Sequence, residues 1–170
     1  MANTNAPRGF VPVKNRSGSG LLTPKSYRIV DNDTTSAIYT GDPVKPGTSG
    51  TAGYIIRGTA AAAALGVFAG CVYTVTATGK RTFSKHYDGV TGKTDIVALV
   101  YDDLADIIFE IQSNSNLTAA NVFTSYDFTI AAGSAITGDS GTYLAGSGDG
   151  VAVLGLVNRP DNEWGTYQKL

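Results

Sequence analysis

One cysteine, Cys71, and one histidine, His86, occur in 170 residues. Neither an intrachain disulfide nor a Cys/His zinc centre can be built from so few ligands, and no cofactor or metal is expected. Charge is scarce as well, at 16% of residues against roughly 25% in an average soluble protein. A formal net charge of -1 gives no field that would draw in a polyanion, so nucleic acid is a poor candidate partner. No segment is long and apolar enough to span a membrane. The start of the chain also lacks the apolar run of a signal peptide, so synthesis in a reducing cytoplasm is expected. In that setting the Asn-x-Ser/Thr patterns at Asn15, Asn32 and Asn116 have no consequence. Convincing helices of ten or more residues and repeats of fixed period are missing too.

What the chain has instead is 21 glycines, nine tyrosines and abundant threonine, a composition that favours short strands and many turns. Strands are expected at Tyr27 to Val30, Ala37 to Thr40 and Tyr54 to Arg57, with turns at Asp31 to Asp33, Gly41 to Pro43 and Gly47 to Gly50. Ala60 to Ala64 is too short to repay helix nucleation and reads as a loop or small-residue strip. Cys71 to Ala77 alternates as a half-buried strand with Cys71, Tyr73 and Val75 on one face. Ile96 to Tyr101 is continuously apolar, as in a central strand covered on both faces. Ile107 to Gln112 alternates again and places Ile107, Phe109 and Ile111 inward. A helical turn fits Asn116 to Val122, glycine-rich loops fill Ala132 to Gly150, and Val151 to Val157 reads as a further buried strand. The expected fold is all-β: a single compact antiparallel barrel or sandwich over 26–170.

Residues 1–25 read as an extended amino-terminal arm. Pro7, Gly9, Pro12, Gly18, Gly20 and Pro24 forbid a helix there, while Phe10, Val11 and Val13 offer apolar anchors to a groove or sheet edge. Residues 1–30 carry Arg8, Lys14, Arg16, Lys25 and Arg28 and no acidic side chain, which leaves eight of the 13 basic residues against all 14 acidic ones in the rest. A cationic arm therefore precedes an acidic body, suited to lying along an acidic protein surface.

Catalytic patterns are sparse. Gly138-Asp139-Ser140-Gly141 resembles the nucleophile loop of chymotrypsin-type proteases, and His86 with Asp102 or Asp103 matches the chain order of that triad. Thr142 stands where that family has another glycine, the residues before His86 lack the family signature, and the chain is short for two barrels. Ser140 is therefore read as a turn residue, and no enzyme is expected. Asp102, Asp103 and Asp106 could hold calcium but read better as a solvated turn. Gly146 to Gly150 has no P-loop lysine and precedes a strand.

Several stretches together resemble the head-decoration, or cement, proteins of tailed bacteriophages. They are the opening Met1 to Val13, Gly41-Asp42-Pro43-Val44-Lys45, Gly66 to Tyr73, Val100-Tyr101-Asp102-Asp103, Phe109-Glu110-Ile111-Gln112 and the closing Val157 to Gly165. The resemblance implies a structural virion protein made in the bacterial host and seated on the outer surface of the expanded capsid. There a homotrimer at local threefold positions would cement neighbouring major capsid subunits. Arg8, Phe10, Val11, Val13 and Arg16 would contact the capsid, and Arg159, Trp164 and Tyr167 would serve as oligomer or capsid contacts, since tryptophan and arginine are enriched in hot spots. On this reading, removing residues 1–20 leaves a folded body that no longer binds heads. Similar chains continue with a further strand beyond the position of Leu170, so the last sheet is expected to differ here. A second class is a host-surface or carbohydrate-binding β module of a tail or fibre, with Tyr73, Tyr101 and Tyr143 as stacking platforms.

Overall fold

The computed structural model describes residues 3–18, 20–30, 37–48, 50–59 and 64–170. The turn expected at Asp31 to Asp33 and most of the Ala60 to Ala64 strip lie outside these residues. In chain order the strands are β1 (Val11–Asn15), β2 (Lys25–Arg28), β3 (Ile38–Tyr39), β4 (Pro43–Pro46), β5 (Ile55–Arg57), β6 (Gly66–Val75), β7 (Lys80–Ser84), β8 (His86–Tyr87), β9 (Lys93–Tyr101), β10 (Ile107–Glu110), β11 (Ser125–Thr129), β12 (Tyr143–Ser147) and β13 (Val151–Ala152). Among the described residues the only helical element is a 3-10 turn, Ala119–Asn121, inside the stretch where a turn was expected. The protein is all-β.

The main sheet runs β2-β9-β6-β4-β5 with β7 paired to the second half of β6, and every pairing in it is antiparallel. β6 is the hinge of the architecture because successive side chains of a strand point to opposite faces. Phe68 enters a core with Ile29, Ile38, Val44, Ile55, Cys71, Tyr87, Ile96, Ala98 and Val100. Its neighbour Val67 enters a second core with Phe10, Ile111, Leu117, Phe128, Leu144, Val153 and Leu170. The second core is covered by the β1–β10 ribbon and by the small sheet β12-β11-β13. This layering is that of a sandwich. Along β9 the alternation is stronger than its apolar run suggests: Ile96, Ala98 and Val100 are buried while Val97, Leu99 and Tyr101 are only half-buried. β9 is central, between β2 and β6, but fully covered on one face.

Three expectations need correcting. Val151 to Val157 is not a buried strand: pairing stops at Ala152, and although Val153 is buried, Leu154 is exposed. Ala132 to Gly150 is not all loop, because Tyr143–Ser147 forms β12 on β11. The largest correction concerns the arm. Residues 11–15 pair with β10, and Phe10 is only 6% exposed, packed edge-on against Phe109 and Phe128 at centroid distances of 6.0 and 5.6 Å. Burying a phenylalanine this way is worth about 1.5–3 kcal/mol, and the docking groove it fills is in its own chain.

Two glycines make that possible. Gly9 and Gly41 have φ of 71° and 91°, and a Cβ on Gly9 would lie 2.5 Å from the Gly41 carbonyl oxygen. Their close approach lets the Phe10 N–H donate to that oxygen at 2.9 Å and the Gly9 N–H to the Thr142 carbonyl at 3.2 Å. Further out, Asn3 Nδ2 donates to the Glu163 and Thr166 carbonyls, and the Glu163 N–H donates back to Asn3 Oδ1. Asn3 is thereby held against residues 163–166. At the other end, Leu170 is buried and exchanges both backbone hydrogen bonds with Ile111, so the last residues run antiparallel beside the segment that follows β10.

Candidate functional site

β1 carries a bulge. Pro12 pairs with Phe109 and Lys14 with Ile108, which leaves Val13 without a cross-strand partner. A bulge re-aims a side chain, and Val13 is 52% exposed. It stands at the rim of a groove of about 1100 Å³, large for a ligand pocket. One wall is the β1–β10 ribbon with Lys14 and Arg16, and the other is formed by β11, the β12–β13 turn and residues 153–157, with Asp127 and Asp149. Phe10, Phe128, Leu144 and Leu170 line it from the second core. Leu104 and Leu154, also in its lining, are 40% and 51% exposed. Beside it, Phe123 has φ 67° with its N–H donating to the Val153 carbonyl at 2.8 Å, and its ring is 81% exposed. A bulky residue held in the left-handed region costs about 1–3 kcal/mol, so the fold maintains this projection against strain.

The residues singled out in the sequence fall into three groups. Val13 and Arg16 are exposed and line the groove; Arg8 is exposed outside it and Val11 is half-buried. Phe10 is withdrawn as a surface contact, because its ring is spent in the second core. Among the carboxy-terminal residues, Arg159 donates to Glu110 Oε2 at 2.7 Å rather than pairing with Asp161, Trp164 is half-buried against the second core, and Tyr167 is half-buried with φ 64°. Leu104, Phe123 and Leu154 carried no periodic signal that would mark them.

The triad residues are not brought together. Ser140 is buried, and its hydroxyl donates to Asp42 Oδ1 at 2.5 Å and lies 2.9 Å from Thr142 Oγ1. His86 instead stacks on Tyr39 with ring centroids 5.5 Å apart. Asp42, with no exposed surface, also accepts from Arg57 Nε at 2.8 Å and Nη2 at 3.2 Å, from Thr142 Oγ1 at 3.1 Å and from the Tyr39 N–H at 3.0 Å. This knot ties residues 39–42 and 57 to 140–142. Tyr73, Tyr101 and Tyr143, expected to be exposed, are all half-buried, and Tyr73 packs on the first core. The Cys71 thiol is buried, and its desolvation pushes its pKa up to about 12, far from a reactive thiolate.

The three aspartates after β9 serve different partners. Asp106 accepts from the Ser17 N–H and hydroxyl, both at 2.7 Å, and Asp103 accepts from the Asp106 N–H at 3.3 Å. Asp102 accepts from the Tyr27 hydroxyl at 2.7 Å and faces Lys25 Nζ at 3.1 Å. Burial alone would raise the Asp102 carboxyl, but these two partners outweigh it and hold its pKa below the ordinary value. A lowered carboxylate pKa contributes stability that is present above the unfolded value of about 3.9 and lost as pH falls through the folded value. The Tyr27→Phe variant is therefore expected to lose less stability than the parent between pH 5 and pH 2. Urea midpoints across that range check it, and parallel acid profiles would refute it.

Fold and site together define a class: an antiparallel β sandwich with an apolar groove between a two-stranded ribbon and a small sheet. No protein-family model matches the chain, and no curated protein or solved structure matches it either.

Proposed function

We propose that this chain is a structural virion protein that binds the outside of an expanded phage capsid, as a trimer at local threefold positions, and cements neighbouring major capsid subunits. The observation that carries the reading is the apolar groove rimmed by Val13, Leu104 and Leu154. Exposed apolar side chains gathered at one groove mark an interaction site, as an oligomer assembled on a capsid requires. The opening and closing segments, far apart in sequence, are joined by the hydrogen bonds of Asn3 with Glu163, so a contact made by one would be positioned by the other.

Co-sedimentation of the full chain with expanded, undecorated heads of the phage that encodes it tests the proposal. Saturable binding at fixed lattice positions, with heads that then withstand heat better, is expected. The Val13→Asp/Leu154→Asp variant should bind at least about tenfold more weakly. Heads that take up none of the parent chain would remove the cement role.

A further inference from the structure

The walls of the groove carry opposite charge. On the ribbon wall, Lys14 and Arg16 are exposed and join no ion pair among the described residues. On the facing wall, Asp127 and the exposed Asp149 are likewise unpaired, and Asp127 packs so close to Gly148 that a Cβ there would lie 2.1 Å from its carboxylate. Glu110, the remaining acid of the lining, is already neutralised by Arg159 at 2.7 Å. An occupant of uniform charge would gain at one wall and be repelled at the other, and such juxtapositions are costly. The surface complementary to a cationic wall, an apolar floor and an anionic wall is one that offers the same pattern in register. This protein offers it, and at a formal net charge of -1 its copies do not repel one another.

We infer that the groove is the self-association surface of this protein, the Lys14 and Arg16 wall of one copy meeting the Asp127 and Asp149 wall of the next across Val13, Leu104 and Leu154. The inference rests on the proposed function for the existence of an oligomer, but it assigns the interface to a different place from the carboxy-terminal residues. Arg159 and Trp164 hold the fold of their own copy, whereas Phe123 and Leu154 leave apolar area uncovered.

Sedimentation velocity of the full chain over about 1–100 µM, with charge-reversed variants, tests it. The parent is expected to associate. Lys14→Glu/Arg16→Glu and Asp149→Lys, all at exposed positions, should each weaken association at least about tenfold while leaving circular dichroism unchanged. Mixed together, the two variants should associate with each other, because each restores the sign its partner lacks. Leu154→Asp should weaken association without any such rescue. A parent that stays monomeric, an oligomer indifferent to the charge reversals, or a mixture that does not recombine would overturn the assignment. Head binding by a monomeric parent would overturn it while leaving the cement role intact. Recombination without head binding would do the reverse.

Discussion

Urea denaturation of the Asp42→Ala variant is expected to show a loss of about 3–5 kcal/mol, the usual cost of breaking a buried ion pair from one side. The carboxylate is fully buried and accepts from Arg57, Ser140, Thr142 and the Tyr39 N–H. Alanine would leave the Arg57 guanidinium with one remaining acceptor, the Ala131 carbonyl at 2.7 Å, and would leave the buried Ser140 and Thr142 hydroxyls, 2.9 Å apart, with one acceptor too few. The guanidinium left behind is only 19% exposed, and a largely buried charge without its partner costs more than the net worth of the pair. The damage should also be non-local, since the knot joins residues almost 100 positions apart and sits against the Gly9–Gly41 contact that seats Phe10. Asp42→Asn, which keeps an acceptor oxygen, should lose less. A loss below about 1 kcal/mol for Asp42→Ala would mean that the network merely fills space.

The limits of the sequence reading follow from the same geometry. Strands within Cys71 to Ala77 and Ile107 to Gln112 were legible from their period of two, but they end at Val75 and Glu110, and Gln112, expected outward, is buried at 3%. The division of Val67 and Phe68 between two cores was not legible, because adjacent apolar residues look alike whichever layer receives them. β12 was hidden among glycines, its Leu144 being the one side chain of the strand that is fully buried. Ser140 was read as a turn residue, and its hydroxyl does accept from the Thr142 N–H two residues on, but it also reaches Asp42. A polar knot closed by side chains from three segments leaves no local pattern, and the Thr142 that breaks the protease motif is the residue that completes the knot. The groove was half legible: the arm supplied Val13 and Arg16, but the opposing wall comes from Asp127, Asp149 and Leu154, whose meeting with β1 depends on the fold alone.

The arm separates into a part that folds and a part that faces outward, and two substitutions three residues apart should distinguish them. Phe10→Ala is expected to cost about 3–5 kcal/mol, because a large aromatic is removed from a packed site and the hole can only partly collapse. Its ring contacts Phe109 and Phe128 from two sides, and its backbone is fixed to Gly41, so little relaxation is available. Val13→Ser, at the bulge, should change stability by no more than about 0.5 kcal/mol and should act on binding instead. Removing residues 1–20 takes away Phe10, β1 and the Asn3 contacts together, and the shortened chain should then lose cooperative unfolding in the second core rather than persist as an intact body. Failure of such a truncation to bind heads would therefore say nothing about an arm that reaches the capsid; Val13→Ser, with the core intact, would. If Phe10→Ala unfolds like the parent, the ring is not anchored in the core, and the arm returns as a free ligand for a surface outside its own chain.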